Sequence, residues 1–188
     1  MKTERRYSME LRAAAAEATR ERILEAAADL FLEAWYDDVT IAKVAERAGV
    51  SGQTVINHFG GKEQLAAEAH ERVGEQIVSL RYSPEPGDTA ALVEALVEDY
   101  ERTGDAIVRL LALEEKVPSL RPLLARGRDS HRDWVREMFL APKLVPELLV
   151  ATDVYTWKLL RRDQGLSRDE TAAAMLRIVE ALLERRTR

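Results

Sequence analysis

The sequence contains no cysteine, which excludes a disulfide framework and thiolate metal sites and fits a reducing cytoplasm. No uninterrupted apolar run approaches the roughly 18 residues of a membrane span, and the amino terminus is charged where a signal peptide would carry an apolar core. A soluble cytoplasmic protein is expected. There are only three histidines, no His-x-x-x-His, and no pair of acids at a telling spacing, so no metal, cofactor or catalytic nucleophile is expected. Strand-like alternation and internal repeats are missing too, and low complexity is confined to the run Ala13 to Ala16. An excess of positive charge is missing as well. The net charge is −5, and within residues 1 to 63 nine bases face eleven acids. Bulk charge therefore gives no support to nucleic-acid binding, and any such support must be local. The candidates are Lys2, Arg5 and Arg6 on a leading arm, with Lys43 and Lys62 on either side of residues 51 to 59, the second helix of the stretch described next.

What is present is a chain of 188 residues, 46% of them hydrophobic and rich in strong helix formers, enough to bury a sizeable helical core. Its most specific stretch is residues 40 to 62. Thr40 suits an N-cap, and Ile41, Val44, Ala45 and Ala48 recur at the spacing of one helix face. Gly49 can adopt the left-handed conformation that ends a helix, and Ser51 can cap a second one through Phe59. Val50, Val55 and Phe59 supply the buried side of that second helix, leaving Gly52, Gln53, Thr54, Asn57 and His58 towards the outside. Two short helices joined by a tight turn, the second with a polar face, form a helix-turn-helix.

The rest of the chain reads as all-α, with about nine helices. A polar arm over residues 1 to 8 precedes a helix from about Met9 to Trp35, whose stripe Ile23, Ala27, Leu30, Phe31 and Ala34 should cover the helix-turn-helix. After Gly60-Gly61, a helix from Lys62 to Leu80 is long enough to link two modules. The expected division is residues 1–63 as a helix-turn-helix DNA-binding domain and 64–188 as a helical effector-binding and dimerisation domain. Further helices are expected over 89–102, 105–116 after a break at Gly104, 119–140 with Pro122 in its first turn, 147–164, and a last one to about Arg186 opened by the capping box Ser167 to Glu170.

In the helix-turn-helix, Thr40, Ser51, Thr54, His58 and Lys62 are candidate contacts to DNA phosphates or bases, hydroxyls and amides at helix starts being natural phosphate ligands. Capping and solvation explain the same hydroxyls. Gln53 and Asn57 can bond adenine bidentately and are the candidate base readers, whereas Gly52 can contribute only by close approach. In the second half, Tyr100, His131, Trp134, Met138 and Trp157 are candidate ligand-pocket residues, and core packing is the competing account of each. The last helices have apolar surface enough for an intermolecular four-helix bundle, with Val150, Val154 and Trp157 facing Met175, Ile178 and Leu182.

Thr19 to Ala27, Leu30-Phe31, Thr40-Ile41, Val44-Ala45, Ala48 to Ser51, Thr54, His58-Phe59 and Lys62 to Leu65 together resemble the amino-terminal domain of TetR-family transcriptional regulators. The resemblance covers roughly residues 19 to 66. Beyond it, the helix count and the segment Thr152 to Leu160 look like the dimerising end of such proteins. The resemblance implies a homodimer that binds a palindromic operator as a repressor and is released by a small molecule. Its paired recognition helices would lie about 34–36 Å apart, or a multiple of that. A DNA-binding regulator answering to a protein partner or to its own abundance stays open, and a helical enzyme is the reading from another class. Three positions depart from the family. Trp35-Tyr36 stands where Gly and an aromatic are usual, Ile56 stands where a phosphate-contacting tyrosine is common, and Gly52 sits in the recognition helix.

Overall fold

The computed structural model describes the chain from residue 2 to residue 184, with side chains from residue 11 onward except at position 119. The described residues form nine α-helices joined by short turns, with no strand. The chain divides into two compact units, one up to Glu75 and the other from Gln76 onward.

In the first unit, α1 spans Lys2–Glu33, so the arm expected over residues 1 to 8 is instead continuous with the helix. Lys2, Glu4, Arg5 and Arg6 are themselves good helix formers, so helix-favouring sequence extends to its start. The side chains of Lys2, Arg5 and Arg6 lie outside the described residues. A 3₁₀ turn over Tyr36–Asp38 leads to α2 (Ile41–Ala48), α3 (Gly52–Phe59) and α4 (Lys62–Arg81). The helix-turn-helix is capped as its sequence requires. The Thr40 hydroxyl accepts from Lys43 N at 3.2 Å, Gly49 takes φ 67°, and the Ser51 hydroxyl accepts from Thr54 N at 3.1 Å. Ile23, Ala27 and Leu30 from α1 bury Val44, Ala45, Val55 and Phe59, and Leu65 and Ala69 complete this core. The division between the units falls within α4.

In the second unit, α5 spans Thr89–Leu113 without interruption, so the break expected at Gly104 does not occur. Gly104 is buried against the face of Trp157, and a Cβ there would lie 2.5 Å from the ring. Glycine serves a close approach here, not a turn. After a 3₁₀ turn, α6 (Arg121–Met138) carries Pro122 in its first turn as expected. The single helix expected over 147–164 is three pieces: α7 (Val145–Ala151), α8 (Val154–Lys158) and a π-helical turn over Leu159–Asp163. The break comes at Thr152-Asp153, where the Asp153 carboxylate accepts from Tyr155 N at 2.8 Å and restarts the helix. Helix α9 (Arg168–Glu184) opens with the expected capping box. Glu170 N donates to the Ser167 hydroxyl at 3.2 Å, and Ser167 N to the Glu170 carboxylate at 2.8 Å. The core gathers Leu92, Leu96 and Tyr100 of α5, Trp134 and Met138 of α6, Leu148, Trp157, Met175 and Val179.

Candidate functional site

The first candidate site is the outer face of α3. Two turns of helix bury only Val55 and Phe59, so the remaining side chains stay near solvent. Ser51, Gln53, Ile56 and Asn57 are exposed, and Gly52, Thr54, His58 and Lys62 are partly so. Gln53 Nε2 donates to Asn57 Oδ1 at 2.9 Å, so the two amides act as one unit. That bond leaves the Gln53 carbonyl as an outward acceptor and the Asn57 amide hydrogens as donors. Ser51 and Thr54 share a hydroxyl–hydroxyl bond of 2.8 Å beside the helix start. Gly52 lies in the first turn, where its Cβ position would meet nothing nearer than Ile41 Cγ2 at 3.8 Å.

Charge around this face is sorted by pairing. Arg47 is held by both oxygens of Glu33 at 2.8 Å, Arg20 by Glu68, and Arg72 by Glu21 at 2.6 Å. The Arg47 hydrogen bond keeps the Glu33 carboxyl below its ordinary pKa. Lys43 and Lys62, by contrast, are in no ion pair among the described residues. Lys43 Nζ donates to the Asp38 carbonyl at 2.8 Å, and Lys62 Nζ sits 4.1 Å above the Tyr36 ring. Tyr36, next to Trp35 in the turn before α2, thus carries one of these two cations.

The second candidate site is the set Tyr100, His131, Trp134, Met138 and Trp157. The structure brings all five into the second unit's core region. Four are fully buried and His131 partly. Tyr100 and Trp157 have ring centroids 5.9 Å apart, and His131 stacks on Trp134 at 5.6 Å. Their polar tips are all engaged. Tyr100 OH donates to the Thr152 carbonyl at 3.0 Å, Trp134 Nε1 to the Arg81 carbonyl at 2.8 Å, and Trp157 Nε1 to Glu101 at 3.1 Å.

At the centre lies a buried ion pair that sequence reasoning missed. Arg81 Nε donates to Asp99 Oδ2 at 2.6 Å, with the second guanidinium nitrogen 2.5 Å from the same oxygen. Thr103 donates to the other Asp99 oxygen at 2.8 Å. Arg81 also lies 3.0 Å from His131 Nδ1. A guanidinium can only donate, so Nδ1 accepts, the ring is neutral, and its proton sits on Nε2, 3.1 Å from the Thr152 hydroxyl. That hydroxyl in turn donates to the Leu148 carbonyl at 2.7 Å. Burial, helped by the charge of Arg81, pushes the His131 pKa down to about 3. Burial also pushes Tyr100 up to about 12, with Arg81 pulling the other way. One signal was available. Asp99 falls on the α5 stripe Leu92, Leu96, Tyr100 and Thr103, at a position where an apolar residue would be expected.

The interface candidates separate by burial. Val154, Trp157 and Met175 are buried in their own unit and Leu182 is partly buried against its core, whereas Val150 is 70% exposed and Ile178 41%.

An all-α chain with a capped helix-turn-helix and a second helical unit defines the class of helix-turn-helix proteins. Residues 23–69 match the family described as bacterial regulatory proteins, tetR family. Over that stretch, which holds the helix-turn-helix, the chain is similar to TetR-family regulators. A transcriptional repressor of Mycobacterium tuberculosis, Rv3405c, is 30% identical over 109 residues, which cover 54% of this chain and 55% of that protein. The chain spans about half the length of the curated relatives it matches. Among solved structures, a tetR-family transcriptional regulator from Streptomyces coelicolor superposes with a TM-score of 0.67 at 20% identity, covering 89% of this chain and 81% of that one. A transcriptional regulator from Aquifex aeolicus superposes with a TM-score of 0.66 at 20% identity, covering 87% and 99%. These two likenesses concern the fold.

Proposed function

We propose that the chain is a DNA-binding transcriptional repressor and not an enzyme, acting in the cytoplasm as a homodimer on a palindromic operator and released by a small molecule. The observation that carries the reading is α3, capped at Ser51 and presenting linked amides at Gln53 and Asn57 to solvent. A bidentate amide suits adenine, and one good pair is worth about 1–3 kcal/mol of discrimination. Thr40, Ser51, Gly52, Thr54, His58 and Lys62 border that face, and Lys43 and Lys62, in no ion pair among the described residues, are cations placed to meet phosphates. The DNA-binding domain is read as residues 1–63 and the effector and dimerisation domain as 64–188.

Dimerisation is assigned to the surface of α7, α8 and α9, where Val150, Tyr155, Leu159 and Ile178 expose apolar area over the buried Val154, Trp157 and Met175. Leu182, partly buried against the core of its own unit, is assigned to the same interface. An effector reaching Tyr100, His131, Trp134, Met138 and Trp157 would have to replace bonds within the Arg81–Asp99–His131–Thr152 network, which favours a ligand with polar groups of its own.

The reading is tested by mobility shift on the duplex upstream of the chain's own gene against a scrambled duplex. Preferential binding to the first is expected, with a salt slope that falls by about one when Lys62→Ala is introduced. Equal binding to both duplexes refutes sequence-specific regulation at that site, and an unaltered slope removes Lys62 from the phosphate contacts.

A further inference from the structure

Among the described residues, Ile56 is the only exposed large apolar side chain on α2 and α3, with 43% of its surface open. It lies three positions after Gln53 and one before Asn57, so the three side chains share one side of the helix. Nothing about folding explains it. The core of this unit is closed by Val55 and Phe59, and a β-branched residue at a solvated helix position has lower propensity than most polar alternatives. An isoleucine flanked by two amides that reach for base edges is chemistry of another kind.

Resting on the DNA-binding reading above, we infer that Ile56 is a specificity-determining residue that reads a thymine 5-methyl group in the major groove, next to the base pair read by Gln53 and Asn57. The argument is one of complementarity. In unmodified DNA the thymine methyl is the apolar feature of the major-groove edge, while cytosine offers an amino donor and purines offer N7 and polar substituents. A side chain with no donor or acceptor gains from the methyl and leaves a cytosine amino group or guanine oxygen unpaired. Ile56 thus adds a preference for T·A at one step to the adenine preference of the amides. The recognition helix would favour A/T at adjacent positions in each half-site. This also gives a role to the position where the family's tyrosine is absent. Lost phosphate contact is exchanged for base discrimination.

The test starts from a pool of random duplexes selected for binding to the full chain. In the enriched site, each thymine is replaced in turn by deoxyuridine, which removes the methyl and nothing else, and affinity is read by fluorescence anisotropy. The expected result is one thymine in each half-site whose replacement weakens binding about fourfold, the worth of one buried methyl-sized group. In Ile56→Ser the same replacement has less than a twofold effect. In Ile56→Leu, which keeps an apolar side chain, the penalty returns, and both variants retain the wild-type salt slope. If uridine weakens the wild type and Ile56→Ser equally, or if no thymine is sensitive, the inference is overturned while DNA recognition stands. A pool that yields no enriched sequence overturns the DNA-binding reading, and this inference with it.

Discussion

The two units handle polarity in opposite ways. Around α3 the polar side chains are short, near solvent and bonded mostly to neighbours three or four residues away, as in Ser51 with Thr54 and Gln53 with Asn57. In the second unit, Arg81 and Asp99 are withdrawn from water and bonded across 18 residues of sequence, with His131 and Thr152 joined from further away. The first arrangement leaves donors and acceptors for a partner. The second consumes them internally, so its worth is in holding α4, α5, α6 and the α7–α8 break in one register. A polar residue can be placed for recognition or for structure, and its hydrogen-bond partners tell which.

The sharpest break of this comparison is Asp99→Ala. It strands a buried guanidinium, and removing one partner of such a pair typically costs about 3–5 kcal/mol. Urea unfolding followed by fluorescence of the buried Trp134 should show that loss. A near-neutral result would mean that Arg81 reaches water and the pair is not structural.

Next comes a single substitution with opposite signs in the two units. Gly104→Ala drives a Cβ into the Trp157 ring and should destabilise by about 1–3 kcal/mol, outweighing the gain in helix propensity. Gly52→Ala meets only an ordinary contact with Ile41 and should be neutral or stabilising by up to about 1 kcal/mol. Thermal midpoints of the two variants check both signs.

A smaller effect is expected with pH. The folded pKa of His131 is about 3, below the ordinary 6.5, so the unfolded chain takes up the proton first as pH falls. The stability that depends on neutral His131 is whole above about pH 6.5 and is lost progressively towards 3. Between pH 7.5 and 5.5 the loss should be about 1 kcal/mol, and His131→Asn should remove that slope from the urea midpoints. Least of all should follow from Arg47→Ala. Its ion pair with Glu33 is exposed and screened by solvent, so the urea midpoint should hardly move.

The same contrast explains what was legible in the sequence. Caps and turns are local, so Thr40, Gly49, Ser51 and the box from Ser167 to Glu170 could be placed from neighbours alone, and the structure has them so. Gly104 misled because a helix-breaking residue and a residue that admits an indole look alike until the indole, more than fifty positions on, is in place. The run from Glu147 read as one helix because its apolar spacing continues past Asp153, whose side chain competes for the backbone. Arg81 and Asp99 were passed over because pairing across 18 residues has no periodicity to betray it. In the sequence Ile56 stands out only as a residue in the place of a usual tyrosine, and its exposure beside the amides is a feature of the folded helix.

The interruption between α7 and α8 has one more consequence. In an unbroken helix the Thr152 carbonyl would accept from the amide of residue 156, but here Thr156 N donates to Asp153 O at 3.0 Å. The Thr152 oxygen is thereby released and accepts the Tyr100 phenol. A change that healed the helix, such as Asp153→Ala, would therefore set the backbone amide and the phenol in competition for one oxygen. Straightening the chain there would improve a local segment at the expense of a long-range clasp, so a higher intrinsic helix propensity at Asp153 should make a looser protein.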